Sequence, residues 1–304
     1  MAIVPVCWVL LYYMKGDDCL AGNILELITE QYHSLTRSSR KLADYILANP
    51  HDSQYMSISS LAESSGVSEA SITRFCRSLG LSGYNSLKLA LAKAAYVTDI
   101  GDPSDTPENI TSEDTLGSIF HKLYDANILS LNETMELLDE EEISKAVDLI
   151  SAANRVFCLG HGGSMVMAME AWARFSTATS HFVHVEDSHM QVMNIALATD
   201  KDVILFFSYS GSTKDMEDIM RIAKERRVSV ILITHFPNSR ATEYADVVLL
   251  CGYNESPLQS GSVAAKLGQL FIIECLFYVF CKRNPEVYSK ARSSTVEAIM
   301  PKLL

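Results

Sequence analysis

The chain carries the stretch ISSLAESSGVSEASITRFCR at residues 58–77, and this stretch decides the fold of its N-terminal part. Ala62 is small where two helices would approach closely. Gly66 follows four residues later, where a tight turn needs a positive φ that glycine adopts without strain. Ser68 is of a residue type that caps helices, and it precedes the second apolar run. Three apolar side chains are spaced to fill the core between the helices: Val67, Ile72 and Phe75. The stretch therefore predicts a helix-turn-helix.

The second predicted helix presents polar and basic side chains. Hydroxyl groups reach phosphates or base edges, and arginine makes bidentate hydrogen bonds to guanine O6 and N7. The pattern favours DNA binding, with a helical hairpin that has no DNA role as the alternative. It leaves open which arginine reads bases and which holds phosphate. The candidate DNA-binding residues are Ser68, Ser71, Thr73, Arg74 and Arg77.

The charge distribution agrees with a local nucleic-acid interface. The 304 residues include 25 Lys and Arg and 37 Asp and Glu, a net charge of −12. This excludes a protein that coats nucleic acid with its whole surface, because phosphate binding needs positive charge at the interface. Residues 31–96 hold seven basic and four acidic side chains, a net charge of +3, which leaves −15 elsewhere. A basic module on an acidic body is indicated.

A family resemblance covers nearly all of residues 24–96. The run LTRSSRKLADYILANP…MSISSLAESSGVSEASITRFCRSLGLSGYNSLK (35–88) resembles the N-terminal domain of RpiR-family bacterial transcriptional regulators, most specifically from residue 68 onward. The resemblance implies a dimeric protein that binds operator DNA.

The second half of the chain alternates short β-rich runs with segments of helical length. Helices are predicted near 116–138 and 140–152, and residues 213–227 show apolar residues at helical spacing. Five buried strands that alternate with helices predict a parallel sheet covered on both faces. The fold class expected is α/β overall, with an all-α helix-turn-helix domain before an α/β/α parallel five-stranded sheet. The predicted strands are 155–160, 181–186, 202–208, 228–234 and 246–251.

Two loops follow predicted strands, where open α/β sheets bind ligands. In LGHGGSMVM (159–167), glycines 160, 162 and 163 let backbone N–H groups approach a ligand beside the Ser164 hydroxyl. In FSYSGSTKDM (207–216), hydroxyl groups surround Gly211 directly before a helix, whose N-terminus favours an anion. A serine-rich turn with a helix cap is the alternative to the phosphate site that we expect. The hydroxyl residues of the second loop are Ser208, Ser210, Ser212 and Thr213.

These loops resemble the sugar isomerase (SIS) domain, a flavodoxin-like fold that recognises phosphosugars, over about residues 120–300. The resemblance puts Ser164 at the family's first-loop serine and Ser208, Ser210 and Thr213 at its phosphate-loop hydroxyls. It assigns Glu255 to sugar hydroxyls. The resulting candidate phosphosugar-binding residues are Gly162, Ser164, Ser208, Ser210, Ser212, Thr213 and Glu255.

Three positions depart from the family pattern. Regulators of this family often carry arginine where this chain has Gln259 and Lys266, and an aliphatic residue is more typical at His161. His161 either contacts the sugar or fills space. Because these positions differ, the identity of the sugar stays open.

The expected organisation has four parts. Residues 1–20 are an extension or a mis-assigned start, since Met14 begins a plausible shorter protein. A helix-turn-helix DNA-binding domain follows at 21–96, then an acidic linker at 97–114 with no Lys or Arg, then a SIS phosphosugar-binding domain at 115–304.

Membrane, metal and disulfide chemistry are not expected. Residues 2–14 are apolar but shorter than the roughly 18–20 residues of a spanning helix, and residues 271–281 favour a buried core helix. The seven cysteines include no CxxC pair and suit a reducing cytosol. His181 and His184 would point to opposite faces of a strand, which disfavours a metal site. We expect no metal and no cofactor.

The leading hypothesis is a cytoplasmic transcriptional regulator, not an enzyme, whose operator affinity responds to a phosphorylated sugar of sugar or amino-sugar metabolism. The alternatives are a sugar-phosphate isomerase, with Glu255 and His161 as candidate acid–base groups, and a SIS domain used only for oligomerisation. The expected partners are operator DNA, the effector and further copies in a homodimer or homotetramer. Sequence does not choose between repressor and activator.

Overall fold

The structure, a computed structural model, describes residues 23–98, 110–253 and 262–302. The predicted extension at 1–20, most of the predicted linker, Glu255 and Gln259 lie outside the described residues. The chain divides into two compact units, with the boundary after residue 102.

The N-terminal unit is helical. Four side-chain oxygens cap their helices by accepting a backbone N–H, namely those of Asn23, Thr36, Ser57 and Ser68, as the sequence predicts for Ser68. Helix α6 continues through Thr98, two residues into the predicted linker. The helices are α1 (Ile24–Gln31), α2 (Arg37–Ala48), α3 (Pro50–Tyr55), α4 (Ile58–Ser65), α5 (Glu69–Ser78) and α6 (Tyr84–Thr98).

Helices α4 and α5 form the predicted helix-turn-helix. Gly66 ends α4 in the left-handed conformation, with φ of 65°. Ile72 and Phe75 are fully buried, and Val67 is partly buried against the same core. The turn and the packing of the α5 inner face confirm the prediction and leave the opposite face of α5 to solvent.

The C-terminal unit contains five strands and seven α-helices within the described residues. Its helices are α7 (Leu116–Leu137), α8 (Glu140–Ala152), α9 (Ser164–Phe175), α10 (Ser188–Ala196), α11 (Lys214–Arg226), α12 (Val263–Arg283) and α13 (Pro285–Ile299). Its strands are β1 (Val156–Gly160), β2 (Phe182–His184), β3 (Val203–Phe207), β4 (Ser229–Thr234) and β5 (Val247–Leu250).

The five strands form one parallel sheet in the order β2-β1-β3-β4-β5. Alternate strand residues face opposite sides, and both sides are buried. Cys158, Leu205 and Ile233 pack with α8, α9 and α12, whereas Leu159 and Phe206 pack with α10 and α11. This arrangement is the predicted α/β/α fold.

Helix α12 is the one described helix long and apolar enough to cross a membrane by length and composition, and half of its most apolar window is buried inside the unit. Several of its residues are fully or almost fully buried in the core, namely Ile272, Ile273, Leu276, Phe277 and Phe280. The segment that the sequence predicts as a core helix is therefore part of the packing against the sheet.

The turn between α4 and α5 offers a stability test. A Cβ at Gly66 would meet no atom within 4 Å, so the cost of Gly66→Ala comes from the left-handed backbone alone. We expect a loss of about 1 kcal/mol in the free energy of unfolding, measured by urea unfolding with circular dichroism. Gly66→Asn is the control, since asparagine tolerates this conformation better. An alanine variant as stable as wild type would contradict the strained turn.

Candidate functional site

The two loops predicted to bind a ligand leave neighbouring strands. In the parallel pairing of β1 with β3, Gly160 lies opposite Phe207, so both strands end at the same level. The helices after these strands, α9 and α11, pack on opposite faces of the sheet. A crevice at the carboxyl ends of the strands, where the order reverses, is where open α/β sheets bind ligands.

The glycine loop (160–164) leads directly into α9. A Cβ at Gly160 would lie 2.8 Å from the Ser164 carbonyl oxygen and 3.2 Å from that of Phe207, so glycine is required there. Gly162 has a φ of 55°. Ser164 is the first residue of α9, and the helix has no side-chain cap. Its half-buried hydroxyl therefore stands at an uncapped helix N-terminus.

Lys266, which the sequence marked as a departure, lies at the glycine loop. Its Cε and Nζ atoms are 3.7 and 3.9 Å from the position that a Cβ on Gly163 would take. The first turn of α12 thus brings a positive charge beside an uncapped helix N-terminus. Gly163 and Lys266 are about a hundred positions apart, so local sequence patterns do not predict this approach.

The hydroxyl loop (208–213) precedes α11. The Ser208 side-chain oxygen accepts the Gly211 N–H at 3.1 Å and holds the turn, and Gly211 has a φ of 58°. Thr213 occupies the cap position of α11 without capping it, and its side chain is exposed. The buried Ser212 hydroxyl has no hydrogen-bond partner in the structure. Uncapped N–H groups and hydroxyls in one turn are suited to an anion.

A third loop, after β4, supports the hydroxyl loop. Ser239 is 2% exposed, and its hydroxyl lies 2.0 Å from the position of a Cβ on Gly211. The Ala241 N–H donates to the Gly211 carbonyl oxygen at 3.0 Å. Ser239 is not among the residues predicted from sequence, although the order of the parallel strands places the loop after β4 beside the loop after β3.

His161 lies in the glycine loop with its ring 5.7 Å from that of Phe206. Both ring nitrogens are buried without a hydrogen-bond partner among the described residues. Burial lowers the pKa of the imidazole, while the negative charge of Asp215 and an interaction with Gln191 oppose the shift. The net shift therefore favours the uncharged form of the ring.

The candidate DNA-binding residues divide into two sets. On the exposed part of α5, the Ser68 and Ser71 hydroxyls are 2.9 Å apart, and Arg74 Nη2 donates to Ser71 Oγ at 3.0 Å. Arg77 is exposed about one turn further along α5. Thr73 is partly buried, and its hydroxyl donates to the Glu69 carbonyl oxygen at 3.1 Å.

Metal-ligating side chains do not gather in the part of the chain that the structure describes, where no group of three or more His, Cys, Asp or Glu could hold an ion. His181 Nδ1 lies 2.7 Å from the Thr179 hydroxyl, and His184 Nδ1 lies 3.3 Å from the Cys158 carbonyl oxygen. These two rings have separate structural partners.

Comparison with known proteins gives two family matches. The model of the rpiR-family helix-turn-helix domain matches residues 22–96, and that of the SIS domain matches residues 149–279. An uncharacterized helix-turn-helix-type transcriptional regulator of Haemophilus influenzae is 31% identical over 280 residues, 92% of this chain and 97% of that protein. The regulator HexR of Escherichia coli is 30% identical over 265 residues, 86% and 89% of the two chains.

Solved structures agree with this assignment. The NanR protein of Vibrio vulnificus, solved in complex with ManNAc-6P, is 26% identical with a TM-score of 0.82 over 92% of this chain and 99% of that one. Structures provisionally named as isomerases of sugar phosphates match at 20% identity or less, which shows the fold alone. The fold and these matches define a helix-turn-helix protein with a SIS domain. The chain belongs to the rpiR family of transcriptional regulators.

The buried histidine predicts how stability depends on pH. Its pKa lies below the ordinary 6.5, so the unfolded chain binds more protons than the folded chain once the pH falls below about 6.5. The contribution of the uncharged His161 to the free energy of unfolding is therefore present near pH 7 and is lost as the pH falls. We expect the thermal midpoint without ligand to drop between pH 7 and 5.5.

The drop should be smaller in His161→Leu. Burial also lowers the pKa of His181, so part of the dependence remains in that variant. His189→Leu, at an exposed position, is the control and should behave as wild type. If the thermal midpoint changes with pH equally in wild type and in His161→Leu, His161 has the same pKa in the folded and unfolded chain, which contradicts the prediction.

Proposed function

We propose that this regulator binds operator DNA through α5 and changes its operator affinity when a phosphorylated sugar binds its SIS domain. The pairing of Gly160 with Phe207 carries the proposal, because it brings the glycine loop and the hydroxyl loop to one edge of the sheet. The DNA-binding unit in the same chain makes a sensor the simplest use of such a site.

The phosphate would lie at the N-terminus of α11. The hydroxyls of Ser210 and Thr213 donate to it, Ser208 and Gly211 hold the turn, and Ser212 adds a buried hydroxyl. Gly162 and Ser164 face the ligand from the glycine loop, and Lys266 adds positive charge near Gly163. Glu255 keeps its assignment to sugar hydroxyls as a prediction. The ManNAc-6P bound by NanR makes an amino-sugar phosphate the first candidate effector.

The isomerase alternative needs a base beside the reacting carbon. His161 is the titratable side chain of the glycine loop, and its ring nitrogens are buried away from solvent. This disfavours proton transfer between His161 and a bound sugar. Glu255, the other candidate acid–base group, lies outside the described residues, so the proposal that the chain is not an enzyme is supported mainly by its transcriptional-regulator relatives. Turnover of any sugar phosphate that binds would reverse this conclusion.

The proposed organisation keeps 21–96 as the operator-binding domain, 97–114 as the linker and 115–304 as the effector-binding domain. On α7, Leu116, Phe120 and Tyr124 are 73%, 66% and 62% exposed. Apolar residues at this spacing on one helix support a homo-oligomer, since a second copy would cover them. A dimer would also match a palindromic operator, and operator binding implies a cytoplasmic location.

The proposed DNA contact is tested by removing the exposed arginines of α5. Arg74→Ala or Arg77→Ala should weaken operator binding by about 1–3 kcal/mol where the side chain reads a base, or reduce the salt dependence where it holds phosphate. The measurement is a gel shift at two salt concentrations, on DNA enriched from a random-sequence pool by the wild type. Arg292→Ala on α13 removes the same charge elsewhere and should have no effect. Unchanged affinity in the double variant would remove α5 from the interface.

The proposed ligand site is tested with Thr213→Val. Losing one charge-assisted hydrogen bond costs about 1.5–3 kcal/mol, so the affinity for the effector should fall at least tenfold. Calorimetry with ManNAc-6P, glucosamine 6-phosphate and glucose 6-phosphate measures it, and Thr295→Val on α13 is the matched control. The unphosphorylated sugars should bind far more weakly. Equal affinity for a sugar and its phosphate would refute the phosphate site.

The same variant separates sensing from a purely oligomeric role for the SIS domain. Thr213→Val should keep ligand-free operator binding and lose the response to effector at moderate concentration. Because coupling between two sites is reciprocal, operator DNA must change effector affinity by the same factor. A tightly bound sugar phosphate that leaves operator affinity unchanged would rule out sensing of that ligand.

A further inference from the structure

A path of polar and aromatic contacts leads away from the hydroxyl loop. Tyr209 lies in the loop between two of its serines, and its ring stacks on that of His235 with centroids 5.1 Å apart and planes 4° from parallel. Its carbonyl oxygen accepts the His235 N–H and the Thr234 hydroxyl, each at 3.1 Å. The Tyr209 hydroxyl donates to the Tyr253 carbonyl oxygen at 2.8 Å. A movement of the loop therefore changes the hydrogen bond that the Tyr253 carbonyl oxygen accepts.

Residues 252 and 253 lie directly on α7. The Tyr253 N–H donates to Glu133 Oε2 at 2.5 Å, and the Gly252 N–H donates to Thr134 Oγ1 at 3.0 Å. A Cβ at Gly252 would lie 2.4 Å from the Glu133 Cβ and 2.8 Å from the Thr134 nitrogen. With no side chain between them, a shift of this segment must be followed by α7 or must break these hydrogen bonds.

Tyr253 has an unfavourable backbone conformation. Its φ is 76°, in the left-handed region that bulky residues avoid, and its side chain is 3% exposed. It packs with Ala126 of α7, with Ala264 and Ala265 of α12, and with Tyr209. Such a conformation persists only while its surroundings hold it. If the contacts from Tyr209 or Glu133 change, Tyr253 can therefore relax to a second backbone conformation with a negative φ.

Helix α7 is also the element that follows the predicted linker. It begins at Leu116, two residues beyond segment 97–114, which leads back along the chain to the DNA-binding unit. Helix α12 is tied to the same part of α7, since the Ser130 hydroxyl donates to the Ala264 carbonyl oxygen at 2.5 Å. The end of this contact path is thus the helix from which the linker leaves.

We propose that Glu133 is a positioning residue that couples the hydroxyl loop to α7 through Tyr253 and Tyr209. The inference rests on the proposed function, since it assumes that a phosphorylated sugar occupies the loop. When the hydroxyl loop closes around the phosphate of the ligand, the hydrogen bond from the Tyr209 hydroxyl to the Tyr253 carbonyl oxygen changes. The Tyr253 N–H, bonded to Glu133, passes the change to α7.

Hydrogen–deuterium exchange of the full chain tests the coupling. The probe is ManNAc-6P, replaced by glucosamine 6-phosphate or glucose 6-phosphate if calorimetry shows that ManNAc-6P does not bind. In wild type, saturating probe should slow exchange in peptides from the hydroxyl loop and change exchange in peptides from α7. In Glu133→Ala the loop should respond as in wild type, while the α7 response should fall at least twofold.

Three further variants separate coupling from simple loss of structure. Glu133→Gln keeps an oxygen that accepts the Tyr253 N–H and should restore the α7 response. Glu136→Ala removes the same charge from an exposed position of α7 and should respond as wild type. Tyr209→Phe keeps the ring but loses the hydroxyl, so its α7 response should fall like that of Glu133→Ala.

The failures of the two proposals differ. A wild-type chain whose loop is protected but whose α7 exchange does not change would overturn the coupling and leave the ligand site intact. An α7 response that survives in both Glu133→Ala and Tyr209→Phe would also overturn it. If none of the three sugar phosphates protects the loop in wild type, the proposed ligand site fails and the coupling falls with it.

Discussion

The parallel pairing of β1 with β3 is the constraint on which the rest of the C-terminal unit depends. The strands end together at Gly160 and Phe207, and the backbone of α9 comes so close to Gly160 that no side chain fits between them. Because α9 and α11 then leave for opposite faces of the sheet, their N-termini lie at the same edge of the sheet. The position of the proposed site is thus a consequence of chain topology, and the hydroxyl and glycine residues would adapt it to an anion.

Helix α7 completes this unit, although the matched SIS segment begins only at residue 149. The N–H groups of Gly252 and Tyr253 lie beyond the last strand, where no neighbouring strand pairs with them. Glu133 and Thr134 of α7 accept both hydrogen bonds. An unsatisfied buried N–H group costs about 1–3 kcal/mol, so α7 is held to the sheet by polar groups as well as by packing. A helix bound in this way can follow changes in the loops.

Local patterns in the sequence predicted much of the fold. Five β-rich runs that alternate with helical segments located the strands, with each end within one or two residues of its observed position. Gly66 and Ser68 located the helix-turn-helix. Each of these signals depends only on neighbouring residues. Contacts between distant segments were beyond such reasoning. The residues around Lys266 do not predict its approach to Gly163, and those around Glu133 do not predict its hydrogen bond with Tyr253. Thr73 stays a predicted DNA contact, and its hydroxyl donates to the helix carbonyl oxygen of Glu69, a local hydrogen bond common for threonine within helices.

The energies involved are sufficient for a sensor. A ligand changes operator affinity only through its different affinities for two arrangements of the protein, and typical coupling is about 1–3 kcal/mol, or 5- to 150-fold. A non-glycine residue in an unfavourable backbone region costs about 1–3 kcal/mol. The free-energy difference between the left-handed and a relaxed conformation of Tyr253 would therefore match a typical coupling free energy by itself. In the proposed coupling a large rearrangement of the sheet is not required, because the typical cost of one such residue is comparable with the typical coupling free energy.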